Sequence, residues 1–216
     1  MTEPPGELPV RGNREVLAAV KRATRHKGLH AAPKIDDRTV RTLDAAADLL
    51  SVFREKAAAL GVGVTDTEAP GLREALAKLV AEHGSAVVEP ALVRRFPQLE
   101  GLGTEKADDD TLFGAGCGIT GVEFAIAETG SVVVESGPGK WRQYSFVPPV
   151  HVAVVERHQL VADLLDVTRH YSRQWTQTAL PANFVVVTGP SRTADIAQRL
   201  VQGVHGPIQV ECVLIV

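Results

Sequence analysis

The sequence predicts an α/β domain built on a parallel or mixed sheet with helices on its faces, preceded by a short helical arm. Three observations carry this. Segments with helical apolar spacing alternate with short β-rich runs over residues 36–216. Apolar residues make up 44% and charged residues 23% of the 216, the balance of an ordinary globular chain. A chain of this length buries most of its unfolded apolar surface without disulfide or metal staples. The only two cysteines, Cys117 and Cys212, could supply neither a disulfide framework nor the four thiolates of an iron–sulfur cluster.

The elements follow in chain order. Residues 1–12 are rich in Pro, Gly and Glu and are expected to be disordered. Asn13 can cap a first helix with Val16, Leu17 and Val20 on one stripe. The basic stretch Lys21–Lys27 ends it at Gly28, as a solvated helix terminus or, alternatively, a nucleic-acid patch. This arm, residues 1–35, joins the α/β body of residues 36–216 near Pro33. Asp36 or Asp37 opens a long helix through Leu43, Ala47, Leu50 and Phe53 that Gly61 terminates. Val62–Thr65 reads as a strand, and Pro70 starts a helix that turns Leu72, Leu76, Leu79 and Val80 inward and stops at Gly84. Ser85–Glu89 is a strand, followed by an acidic loop ending in Asp108-Asp109-Asp110. Phe124–Ala127 and Ser131–Glu135 flank a turn at Glu128-Thr129-Gly130. Val150–Val155 is a strand, His158–Val167 a helix, Phe184–Thr188 a buried strand, Ser191–Gln202 a helix and Ile208–Ile215 a final strand.

Charge and hydropathy exclude several function classes. The 23 basic and 26 acidic side chains leave a net charge of -3, which offers nucleic acid no electrostatic footprint. The opening Met-Thr-Glu-Pro-Pro-Gly-Glu has neither a basic n-region nor an apolar h-region, and no apolar run nears the ~20 residues that span a bilayer. A soluble cytoplasmic protein is expected.

Gly116-Cys117-Gly118-Ile119-Thr120-Gly121 spells GxGxxG, but an acidic loop precedes it and a β-type segment follows. The dinucleotide fingerprint needs a strand before and a helix after, so a flexible loop beside a ligand cleft is the better expectation. Gly139-Lys140 is followed by Trp141 and makes no phosphate-binding loop. The seven histidines do not cluster like metal ligands: His26 and His30 stand four apart, but Gly28 lies between them near a helix end, and no metal site is expected. His151 reads as a satisfied histidine at the edge of the core.

The sharpest local signal is Thr188-Gly189-Pro190-Ser191-Arg192-Thr193-Ala194-Asp195-Ile196. A β-rich run enters it and an amphipathic helix leaves it. Gly189 permits close backbone approach, Ser191 can cap the helix, and the free N–H groups of a first turn make an anion site. Arg192 adds a planar donor fork for carboxylate or phosphate. The competing expectation is an ordinary capped helix. Glu128, at the tip of an apolar strand, can act as base, nucleophile or hydroxyl acceptor, or be a plain turn residue facing water. His205, in Gly203-Val204-His205-Gly206-Pro207, can transfer protons or serve only its turn.

Four stretches, Ala125–Ser131, Val147–Val155, Thr188–Ile196 and Gly203–Pro207, stand in the order seen in the LUD-domain family that includes lactate utilization protein C. The segment Asn13-Arg14-Glu15-Val16-Leu17 resembles that family's N-terminal helix. The resemblance implies a three-layer α/β/α fold of the NagB/RpiA/CoA-transferase group. It implies a subunit or accessory protein of a system that oxidises L-lactate to pyruvate, with iron–sulfur clusters in a partner and no cofactor in this chain. A small anionic ligand would lie against Thr129, Gly130, Gly189, Ser191, Arg192, Thr193 and Asp195, with Glu128 and His205 as the catalytic pair. By analogy with the same fold group, the alternative is a free-standing CoA-transferase-like or sugar-phosphate enzyme using Glu128. Ser131 departs mildly from the family, whose members often have Thr there.

Overall fold

A parallel sheet forms where apolar runs are buried on both faces, and the longest such run here is Val150–Val155. The computed structural model describes residues 13–24, 41–44, 46–174, 181–193, 201–202 and 205–216. Contacts divide the chain into two units, Met1–Val40 and Arg41–Val216. In the first, helix α1 spans Asn13–Thr24, with Glu15 in its first turn and Lys21 and Arg22 in its last, the charge order that a helix dipole favours. The expected disorder of residues 1–12 and the expected stop at Gly28 lie outside the described residues.

The second unit is built on five parallel strands: β1 (Gly63–Thr67), β2 (Ala86–Val88), β3 (Cys117–Gly121), β6 (Val150–Glu156) and β11 (Gln209–Ile215), in the order β1-β11-β6-β3-β2. A second, mixed sheet has the order β7-β4-β5-β8, from β4 (Phe124–Ile126), β5 (Ser131–Ser136), β7 (Leu160–Val161) and β8 (Asn183–Val187). Helix α3 (Leu72–His83) and helix α4 (Pro90–Arg95) cover one face of the parallel sheet, packing Leu72, Leu76 and Leu92 on Ile119, Val152, Val154 and Val213. Helix α2 (Leu49–Ala59) and the inner face of the second sheet cover the other. There Phe53, Ala57, Ala125 and Val132 meet Ala153, Val155, Cys212 and Leu214. This is the expected three-layer α/β/α class, with the mixed sheet sharing one outer layer with α2. The mixed sheet's far side packs Ile126 and Val133 on Val167 and Tyr171 of helix α6 (Leu164–Gln174).

Several elements differ from expectation, each for a local reason. The helix expected from Asp36 or Asp37 begins at Leu49. Asp44 accepts from the Ala46 N–H and Asp48 from the Leu50 N–H, so Leu43 and Ala47 lie before a cap rather than within a helix. The glycine-rich stretch is not a loop but β3, buried at Cys117–Thr120. A Cβ on Gly118 would fall 1.8 Å from the Tyr144 carbonyl oxygen, so its glycine serves a close backbone crossing. The acidic run caps and opens helix α5 (Asp109–Gly114), where Asp108 accepts from the Thr111 N–H. The helix expected at His158–Val167 is displaced to Leu164–Gln174, and Asp163 accepts from the Asp166 N–H at its start. β8, expected to be buried, is exposed along residues 183–186 and pairs with β5. The expected helix Ser191–Gln202 is replaced at both margins by β9 (Arg192–Thr193) and β10 (Val201–Gln202), paired antiparallel. Residues 194–200 between them lie outside the described set.

Candidate functional site

Two regions of the second unit concentrate chemistry, one expected from the sequence and one not. The first surrounds the carboxyl end of α2. β4 and β5 pair antiparallel, and the turn between them runs through Glu128, Thr129 and Gly130. Gly130 has φ +63°, and a Cβ on it would lie 2.4 Å from the Ala57 nitrogen, so the turn is wedged against the helix backbone. Glu128 is half-buried, donates its N–H to the Ala162 carbonyl at 3.0 Å, and accepts the Thr42 hydroxyl on its carboxylate. The hydroxyls of Thr129, Ser131 and Thr188 form a chain with spacings of 2.7 and 2.8 Å, which links two exposed threonines through a fully buried serine.

Gly189, with φ +79°, lets the next loop pass over Leu60, where a Cβ would sit 3.2 Å from the Leu60 Cβ. Arg192 Nη2 donates to the Leu60 carbonyl at 3.1 Å, a cation on the negative end of a helix. The Ser191 N–H donates to the Pro207 carbonyl at 2.9 Å. Because residues 192–193 are a strand, no helix terminus opens at Ser191 to bind an anion through a first turn.

Thr129, Gly130, Thr188, Gly189 and Arg192 therefore gather around α2. Gly189, Ser191, His205 and Thr188 share a shallow pocket of about 240 Å³ with Phe146 and Arg142, and Glu128, Thr129 and Arg192 are not on its walls. His205 is exposed. The Thr193 side chain and Asp195 lie outside what the structure describes.

The second region is a cavity of about 330 Å³ at the carboxyl ends of β2, β3 and β6, where open α/β sheets place ligands. Glu89 stands between β2 and α4, and is only 3% exposed. Its Oε2 accepts the Gly121 N–H at 3.0 Å, at the end of β3. Burial pushes this carboxyl up to about 7, against the pull of the Gly121 N–H. A turn closed by reciprocal Gly137 and Lys140 hydrogen bonds delivers Lys140 to the cavity wall. Lys140 Nζ lies 2.5 Å from Glu123 and 3.1 Å from Glu135, and Glu135 also accepts the Tyr171 hydroxyl at 2.7 Å. Arg95 holds Glu156 through two bonds of 3.1 and 2.9 Å. Sequence reading missed this cavity. The available signal was a carboxylate directly after an apolar strand, at Val87-Val88-Glu89, where the sheet's ligand edge begins.

His151 sits fully buried in the middle of the parallel sheet rather than at the core edge. Its Nε2 lies 2.9 Å from the Thr120 hydroxyl, its Nδ1 has no partner, and burial lowers its pKa to about 4. Among the described residues no group of three or more His, Cys, Asp or Glu is placed to hold a metal ion, and no helix is long and apolar enough to cross a membrane.

Comparison with known proteins agrees with this architecture. The lactate utilization protein C of Shouchella clausii is 30% identical over 188 residues, covering 80% of this chain and 81% of that protein. That of Macrococcus caseolyticus is 28% identical over 181 residues, covering 78% of each. The crystal structure of a DUF162 family protein from Deinococcus radiodurans matches with a TM-score of 0.61 at 20% identity. The match covers 81% of this chain and all of that one, a likeness of fold. The model of the LUD domain matches residues 38–215, nearly the whole second unit, and with relatives aligned over most of their length the chain belongs to the LUD-domain family.

Proposed function

We propose that this protein serves lactate utilization as a subunit or accessory protein of an iron–sulfur-dependent system that oxidises L-lactate to pyruvate, and that it binds a small anionic ligand. The observation that carries this reading is the 30% identity to a lactate utilization protein C over four-fifths of both chains. The loop cluster around α2 supports the binding part. The exposed Arg192 guanidinium, anchored on the Leu60 carbonyl, has further N–H groups to offer a carboxylate, and the Thr129–Ser131–Thr188 hydroxyl chain stands in the same loop cluster. Glu128, in the turn beside Thr129, is the group that exchanges protons with a ligand at this cluster, and His205 serves one entering the neighbouring shallow pocket that it lines. The iron–sulfur clusters belong to a partner, since this chain carries two cysteines, both buried.

The test is genetic and biochemical. A strain lacking this gene and any paralogue fails to grow on L-lactate, growth returns with the wild-type chain, and the tagged protein co-purifies with an iron–sulfur protein. Normal growth of the deletion strain on L-lactate overturns the assignment.

A further inference from the structure

The cavity at the carboxyl ends of β2, β3 and β6 carries a charge pattern that the lactate reading does not use. Four carboxyl groups line it, those of Glu89, Glu123, Glu135 and Glu156. The two long cations on its wall are committed, Lys140 to Glu123 and Glu135, and Arg95 to Glu156. Glu89 has a backbone N–H as partner and no ion pair among the described residues. It is also the most deeply set of the four, the other three being partly exposed. An anion entering here would meet three carboxylates whose cations are already neutralised. A cation would meet one buried carboxyl that no cation of the described residues pairs directly, Lys140 and Arg94 acting on it only from a distance. Beside Glu89 the wall is apolar, from Leu92, Phe96, Val122 and Val154. The cavity therefore sets one apolar wall beside a buried carboxyl within an otherwise charged rim, and an apolar wall with a placed polar group is a common way to hold a small molecule.

We propose that this cleft binds a small organic cation with an apolar body, its cationic head on Glu89 and its body against Leu92, Phe96, Val122 and Val154. The site is separate from the loop cluster around α2, so its test leaves the lactate reading untouched.

Proton linkage gives the test a signature. The groups that act on Glu89 are the Gly121 N–H, Lys140 and Arg94, which favour its charged form, and Glu123, which opposes it. Burial outweighs them and keeps the free carboxyl largely protonated below about 7. A bound cation displaces that proton: carboxyl plus cation gives an ion pair plus one released proton. Apparent affinity then tracks the ionised fraction of Glu89, and falls about a hundredfold between pH 8 and pH 5.

Benzamidine serves as the cationic probe and benzoate as the anion of the same shape, titrated calorimetrically into the full chain. The expected result is benzamidine binding at pH 8, about a hundredfold weaker binding at pH 5, no benzoate binding, and a shift of the Gly121 amide resonance on benzamidine addition. Glu89→Gln keeps the Gly121 hydrogen bond and is expected to lose most of the affinity without a fall in melting temperature. Should that variant fail to fold, the wild-type pH ratio and the Gly121 resonance decide the matter. The proposal is overturned by benzoate binding as tightly as benzamidine, by affinity that ignores pH or survives in folded Glu89→Gln, or by no benzamidine binding at millimolar concentration.

Discussion

Glu89 and His151 lie in the same sheet layer with opposite protonation demands. Burial raises Glu89 from 4.5 to about 7 and lowers His151 from 6.5 to about 4. Between pH 7 and 4.5 the folded state holds a proton on Glu89 that the unfolded chain has released, so this group adds stability as pH falls. Between pH 6.5 and 4 the unfolded chain takes a proton on His151 that the folded state refuses, so this group removes stability as pH falls. The two effects oppose each other at about 1.4 kcal/mol per pH unit each, and nearly cancel over the shared window of pH 6.5 to 4.5. Removing one unmasks the other. Glu89→Gln is expected to lose about 1.4 kcal/mol per unit between pH 6.5 and 5, and His151→Gln to gain about as much. Urea midpoints across that range check this, and a flat Glu89→Gln profile would refute it.

Among the elements, β3 shows how a motif string misleads. Its glycines suit a loop or a phosphate-binding turn in a linear reading, yet they line up in a buried parallel strand. A methyl group on Gly118 strikes the Tyr144 carbonyl, whereas one on Gly114 meets nothing within 4 Å. Gly118→Ala is therefore expected to destabilise by about 2–3 kcal/mol, and Gly114→Ala to stay within about 0.5 kcal/mol of wild type. Equilibrium unfolding of the two variants separates a packing role from loop flexibility, which would make them alike. The same limit explains the helices. Apolar spacing located α3 well, because Pro70 and Gly84 bracket it. It overextended α2, because Asp44 and Asp48 divert backbone N–H groups into local caps that periodicity does not register. It missed α4, a six-residue helix whose start is marked only by Pro90.

For the whole molecule, the parallel sheet decides what is accessible. Cys117 and Cys212 sit in β3 and β11, both buried, with their thiols pushed up by burial to about 11 and 12. Native protein is expected to resist a thiol-specific reagent and to yield two reactive thiols only on unfolding in urea, and fast labelling of the native state would contradict that placement. The sequence by itself determined the α/β class, the strand that runs through Val150–Val155, the turn at Glu128-Thr129-Gly130, the small cysteine count and the family likeness. All of these rest on local pattern, on composition or on motif order. The convergence of Thr188, Gly189 and Arg192 on the end of α2 was half legible, since both loops could be singled out but not the helix they share. Only the tertiary structure decided that Glu89, Gly121, Lys140 and Glu156 meet at one sheet edge. Parallel pairing of β2, β3 and β6 aligns strand ends that are far apart in the chain, and that register is set by burial on both faces rather than by any neighbouring residue.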